Sequence, residues 1–173
     1  MRYLFLIKTY HDSDKYFENK NDLFLNKSYQ EISQIFCNFY KNWLSEFYLY
    51  LKKNFECEII FPNMINLFRE MEKKNNKVFF EYLNFLYNEY KPDIIISNTE
   101  DKNFLKNIKC TKNTYKFLWK SSSINKKDLD FKNFYFNHII SGNKNILNMM
   151  KNTSFKTSYL LISIPNKILN EKN

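Results

Sequence analysis

Tyr90-Lys91-Pro92-Asp93-Ile94-Ile95-Ile96-Ser97 is the stretch on which the reading of the fold turns. Proline disfavours helical backbone in the residue before it, so a helix carrying Phe79, Tyr82, Leu83, Leu86 and Tyr90 must stop at Lys91. Three consecutive isoleucines follow. A continuous β-branched run marks a strand buried on both faces, as in a parallel sheet. Working outward, Glu58-Ile59-Ile60-Phe61, closed by Pro62-Asn63, is a second such strand. Asn63 is placed to cap a helix carrying Met64, Leu67, Phe68 and Met71. Arg2 to Lys8 is a short apolar run that stops at Thr9, again a strand by length and flanks.

Between those two strands Ser28-Tyr29-Gln30-Glu31 forms a capping box, a serine hydroxyl for free amides and a glutamate returning three residues later. Ile32, Ile35, Phe36, Phe39, Trp43, Phe47 and Tyr50 then recur at three- and four-residue steps. They predict one long helix over Ser28–Asn54, with Trp43 buried. Downstream, Phe104, Leu105 and Ile108 suggest a short helix and Tyr115 to Trp119 a fourth strand. Phe134 to Ser141 reads as a fifth, Gly142-Asn143 opens a helix through Ile146, Leu147 and Met150, and Thr157 to Ser163 reads as a sixth. Strand and helix thus alternate, which argues a single α/β domain over residues 1–173: a Rossmann-like, open, mostly parallel sheet of about six strands with helices on both faces.

Composition narrows the function. The 173 residues hold 18 Phe and 13 Tyr, too much apolar surface for a disordered chain. Gly142 is the only glycine, so no GxGxxG fingerprint, Walker loop or GxSxG elbow can be written. The net charge is +9, yet Arg2 and Arg69 are the only arginines. A sequence-reading nucleic-acid binder needs the planar guanidinium fork, so no specific nucleic-acid partner is expected. Weak attraction to an anionic membrane surface fits the lysines better. No apolar run is long enough for a membrane span. Cys37, Cys57 and Cys110 are odd in number, far apart and without CxxC spacing, and read as reduced thiols of a cytoplasmic protein, peripheral at most to the inner membrane face.

The pieces resemble the N-terminal, acceptor-side domain of GT-B glycosyltransferases of the family-four and spore-maturation-like group. The resemblance is carried by Lys8-Thr9-Tyr10 after the first strand, Ser28-Tyr29-Gln30-Glu31, and Phe55-Glu56-Cys57-Glu58-Ile59-Ile60 followed by Asn63. Tyr90-Lys91-Pro92-Asp93-Ile94-Ile95 and Asn137-His138-Ile139-Ile140-Ser141 extend it, with Asn137 where an aspartate is usual. Tyr159-Leu160 and Pro165-Asn166-Lys167-Ile168-Leu169 resemble the exit from that domain. The resemblance implies transfer of a sugar from a nucleotide-sugar to a cell-surface saccharide or lipid-linked acceptor. It implies that the nucleotide-sugar is held by a C-terminal donor domain missing from residues 1–173, so that this chain alone is inactive and needs no cofactor.

In an open α/β sheet the ligand crevice lies beyond the carboxyl ends of the strands, where strand order reverses. For a 3-2-1-4-5-6 order the crevice falls between the first and fourth strands, among loops Thr9–Asp14 and Lys120–Ser123, with Asn98–Asp101 alongside. Thr9, Tyr10, Asn98, Glu100, Ser121 and Ser122 are the expected acceptor-cleft residues. Inverting transfer needs a base for the acceptor hydroxyl, and His11 or Asp12 can serve; His11 is equally read as a plain polar loop residue. Asp12 and Asp14 lack the glycine turn and closing glutamate of a calcium loop, so no metal site is read there. His138, inside a strand, reads as a satisfied sheet residue. The alternative function is a stand-alone Rossmann-like or flavodoxin-like binding module without catalysis.

Overall fold

The computed structural model describes residues 1–9, 27–39, 42–66, 68–69, 78–99, 105–120, 135–151, 153 and 155–159. In chain order these form β1 (Arg2–Leu6), α1 (Tyr29–Phe39), α2 (Trp43–Leu51) and β2 (Glu56–Ile60). After a 3-10 turn at Pro62–Met64 come α3 (Val78–Asn88), β3 (Ile94–Ser97), β4 (Tyr115–Lys120), β5 (His138–Ser141), α4 (Lys144–Met150) and β6 (Lys156–Tyr159). The six strands make one open sheet in the order β2-β1-β3-β4-β5-β6, and every neighbouring pair is parallel. This is the α/β, Rossmann-like architecture expected of the alternating pattern.

The isoleucine run behaves as its composition requires. Ile95 is fully buried and Ile96 nearly so, and beside them Leu4, Phe5, Leu6 and Ile7 have no exposed surface. Strand register puts Phe5, Ile96, Phe117 and His138 in one row and Leu4, Ile95 and Glu58 in another, so successive residues supply opposite faces. Phe47 and Tyr48 of α2 meet Phe5 edge-on, covering the first face. Tyr82 of α3 reaches Glu58 on the second.

The strand ends are locked by aspartate and asparagine side chains. Just before β3, Asp93 accepts the Arg2 amide on Oδ2 at 2.7 Å and donates its own amide to the Arg2 carbonyl at 2.9 Å. Just before β5, Asn137 repeats the device on Lys116, accepting at 3.0 Å and donating at 2.8 Å. Each side chain extends the ladder by one rung. Because only an acceptor oxygen is required, asparagine serves at 137 as aspartate does at 93.

The outer edge of β2 is closed by a phenol. The Tyr82 hydroxyl accepts the Ile59 amide at 3.1 Å and lies 3.0 Å from the Ile59 carbonyl and 2.6 Å from Glu58 Oε2. An open edge strand is a template for unwanted pairing, and here its polar groups are occupied by a helix side chain. Tyr82→Phe is therefore expected to cost about 1–3 kcal/mol in urea unfolding, the penalty for orphaned buried polar groups. A loss indistinguishable from zero would show that the edge does not depend on the phenol.

Three expectations need correction. The Ser28–Asn54 helix is two helices. Asn42 closes a second capping box, with its Oδ1 accepting the Ser45 amide at 2.9 Å and Ser45 Oγ accepting the Asn42 amide at 3.1 Å. The first box is present as read: Ser28 Oγ accepts the Glu31 amide at 3.3 Å and Glu31 Oε2 accepts the Ser28 amide at 2.7 Å. These bonds hold the Glu31 carboxyl below its ordinary range. Trp43, first residue of α2, is half-buried rather than buried, stacked on Trp119 at 4.6 Å. Asn63 lies inside the turn Pro62–Met64, whose N-cap is Phe61 without a side-chain cap bond, and among the described residues its amide bonds to Thr9.

Several boundaries also move. β1 ends at Leu6, β2 begins two residues early at Glu56, and β5 starts at His138. Leu67, Met71, Phe104, Phe134 and Leu160 to Ser163 lie outside the described residues. Cys37 and Cys57 are buried free thiols, pushed up to about 12 and about 11 by burial, and Cys110 is half-buried and free. Among the described residues no helix is long and apolar enough to cross a membrane.

Candidate functional site

The sheet order places the crevice. β1 leads to β2 on one side, and the chain then returns to lay β3 on the other side of β1, so strand order reverses between β1 and β3. The expected position between the first and fourth strands is thus corrected. The crossover from β2 carries the chain back past β1, so β3 lies beside β1 instead of outside β2.

Beyond the carboxyl end of β1 the chain is gripped from both sides. On the β3 side, Asn98 Oδ1 accepts the Lys8 amide at 2.7 Å and Asn98 Nδ2 donates to the Lys8 carbonyl at 3.0 Å. The Asn98 backbone amide donates to the Leu6 carbonyl at 3.2 Å. On the β2 side, Asn63 Oδ1 accepts the Thr9 amide at 3.1 Å. Its Nδ2 lies 3.0 Å from the Thr9 carbonyl and 2.7 Å from Thr9 Oγ1. Each asparagine presents a donor and an acceptor as a peptide group does, so the two amides continue the sheet where the neighbouring strands have ended. Ser97, buried at the end of β3, closes a tight turn with Oγ accepting the Thr99 amide at 3.0 Å.

Of the expected cleft residues, Thr9 and Asn98 are brought to this crevice, Thr9 on the extension of β1 and Asn98 on the β3 side of it. Both use their side chains in the grips just described. Lys120 sits one strand further away, at the end of β4, where its carbonyl accepts Ser141 Oγ at 2.6 Å. Tyr10, His11, Asp12, Asp14, Glu100, Asp101, Ser121, Ser122 and Ser123 lie outside the described residues. The described rim at β1 and β3, made by Lys8, Thr9, Asn63, Ser97, Asn98 and Thr99, is polar, with Lys8 as its charge. None of these groups is a base at neutral pH. The arrangement can orient hydroxyls and attract anions.

Sequence reasoning missed Asn63 as part of the rim. Its position after Pro62 carries a capping signal, and only the spatial return of Thr9 shows the other use. It read Asn143 as the opening of the next helix, and Asn143 Oδ1 caps α4 through the Asn145 amide at 2.9 Å; it missed Ser141, whose Oγ accepts the Asn143 amide at 3.0 Å at the end of β5. Among the described residues no three His, Cys, Asp or Glu side chains converge as a metal site would need. No protein-family model matches the chain, and neither a curated protein nor a solved structure matches it.

Proposed function

We propose that the chain is the acceptor-side domain of a GT-B type glycosyltransferase, with its acceptor cleft at the β1–β3 crevice. One observation carries the reading. Of the segments that resemble such domains, Lys8-Thr9 follows β1, Glu56-Cys57-Glu58-Ile59-Ile60 forms β2 with Asn63 in the turn after it, and Ile94-Ile95 opens β3, the three strands around one topological switch point. A saccharide or lipid-linked saccharide fits a rim of amides, hydroxyls and lysine. The donor nucleotide-sugar belongs to a second domain, and His11 or Asp12, two and three residues after Thr9 in the sequence, takes the acceptor proton.

A second reading is favoured by the strand order itself. The order 2-1-3-4-5 is that of flavodoxin-like proteins, which bind a ligand at the same switch point. On this reading the chain is a binding module without catalysis.

Calorimetry with common nucleotide-sugars separates the two. The acceptor-side reading expects no donor binding tighter than millimolar to residues 1–173. It expects saccharide or lipid-linked acceptors to shift the Lys8, Thr9 and Asn98 amide resonances. Micromolar nucleotide-sugar binding at those same amides would overturn it, because the donor site would then lie in this domain.

A further inference from the structure

We propose that His138, Lys156 and Ser158 form a binding site for a phosphate group, on the face of the sheet at β5 and β6 and away from the β1–β3 crevice. Register sets His138 opposite Lys156 and Ile140 opposite Ser158, so all three polar side chains rise from the same face of adjacent strands. Ser158 Oγ lies 2.8 Å from His138 Nε2. On the other side of the ring, Tyr115 of β4 places its hydroxyl 3.3 Å from His138 Nδ1. Lys156 Nζ stands over the Tyr115 ring, 6.0 Å from its centroid. His138 is half-buried, while Lys156 and Ser158 are exposed and reachable.

The charge pattern is what points to an anion. Among the described residues the polar and titratable groups that face His138 are Tyr115 from β4 and Lys156 and Ser158 from β6, and none of these is a carboxylate. Burial and the Lys156 charge both hold the imidazole below its ordinary range. At neutral pH the ring is therefore uncharged. It can give its Nδ1 proton to the Tyr115 oxygen and accept the Ser158 proton at Nε2.

A phosphate oxygen placed between Lys156 Nζ and Ser158 Oγ reverses this balance. It offers the ammonium a counterion, turns the serine hydroxyl outward, and favours a proton taken up from solvent at Nε2, which then donates a charge-assisted bond. Binding should tighten as pH falls through the histidine range.

The test follows the His138 ring resonances by NMR, assigned with His138→Gln, while inorganic phosphate or chloride is added at matched ionic strength. Phosphate is expected to raise the pH at which His138 titrates, and chloride is not. Affinity, read for every variant on the backbone amide resonances of residues 156 and 158, should fall about tenfold in Lys156→Gln and in His138→Gln, and by less in Ser158→Ala. Both flanking residues are exposed, so those variants should fold, which circular dichroism checks. Equal response to phosphate and chloride, or wild-type affinity in Lys156→Gln, would overturn the proposal. Sedimentation with phosphatidylcholine vesicles, with and without phosphatidate, then identifies the source. Binding that needs both phosphatidate and Lys156 assigns a lipid headgroup. Binding of inorganic phosphate alone assigns a soluble phosphate ester.

Discussion

Phe5→Ala is expected to lower stability by about 3–5 kcal/mol, close to the limit for a single core truncation. Phe5 is fully buried in the strand that both crossovers flank. Its ring meets Tyr48 at 5.5 Å and 71° and Phe47 at 5.9 Å and 77°, the edge-to-face geometry that adds to simple area burial. Truncation leaves a cavity between a rigid sheet and a helix that cannot collapse onto it. A domain of this size holds roughly 5–15 kcal/mol in total, so the variant should stand near its unfolding transition at 37 °C. Trp43→Ala offers the contrast. Trp43 rests on Trp119 but is half-exposed at the start of α2, and its loss should be about half as large. Urea melts of the two variants check the order. Equal losses would mean that α2 is anchored through the tryptophan pair rather than through Phe5.

That contrast also shows where the sequence was legible. Pro92 and the isoleucine run identified β3 and the parallel sheet because a buried strand needs apolar residues on both faces. The spacing of Ile32, Phe36 and Phe39 identified a helix for the same kind of reason. It concealed the break before Asn42, because the apolar stripe resumes at Trp43 in step with the stripe before it. The signal was present in Asn42 and Ser45, an N-cap three residues before a returning hydroxyl, but apolar periodicity outweighed it. Strand order was not legible at all. A helical crossover after β2 can set the Pro92–Asp93 strand outside the second strand or back beside the first, and the apolar pattern is the same in both cases. Asn63 was misread because one residue cannot announce whether its amide serves the next turn of helix or a loop that left the sheet more than fifty residues earlier. Asn137 was read as a departure from aspartate, and only the Lys116 backbone beside it shows that the two are equivalent there.

Removing both crevice grips, Asn63→Ala with Asn98→Ala, is expected to cost about 2–4 kcal/mol. The estimate follows from the bonds lost. Asn98 makes two side-chain bonds to Lys8, both near solvent, where water takes over part of the work. Asn63 serves the Thr9 amide, carbonyl and hydroxyl in a half-buried setting, and its loss leaves those groups less easily hydrated. The two sites flank consecutive residues of one strand extension, so their effects should couple rather than add. Hydrogen exchange gives the sharper readout. The Lys8 and Thr9 amides should lose protection in the double variant. The Ile7 amide, bonded to the Ile60 carbonyl at 2.9 Å, should keep it, because that rung belongs to the sheet proper. Asn98→Asp separates the two halves of the grip: it keeps an acceptor for the Lys8 amide but has no donor for the Lys8 carbonyl. Its cost should fall between wild type and Asn98→Ala. Unchanged protection at Lys8 and Thr9 in the double variant would mean that the exit of β1 is held by something other than the asparagines. The crevice rim would then owe its shape to contacts other than these two side chains.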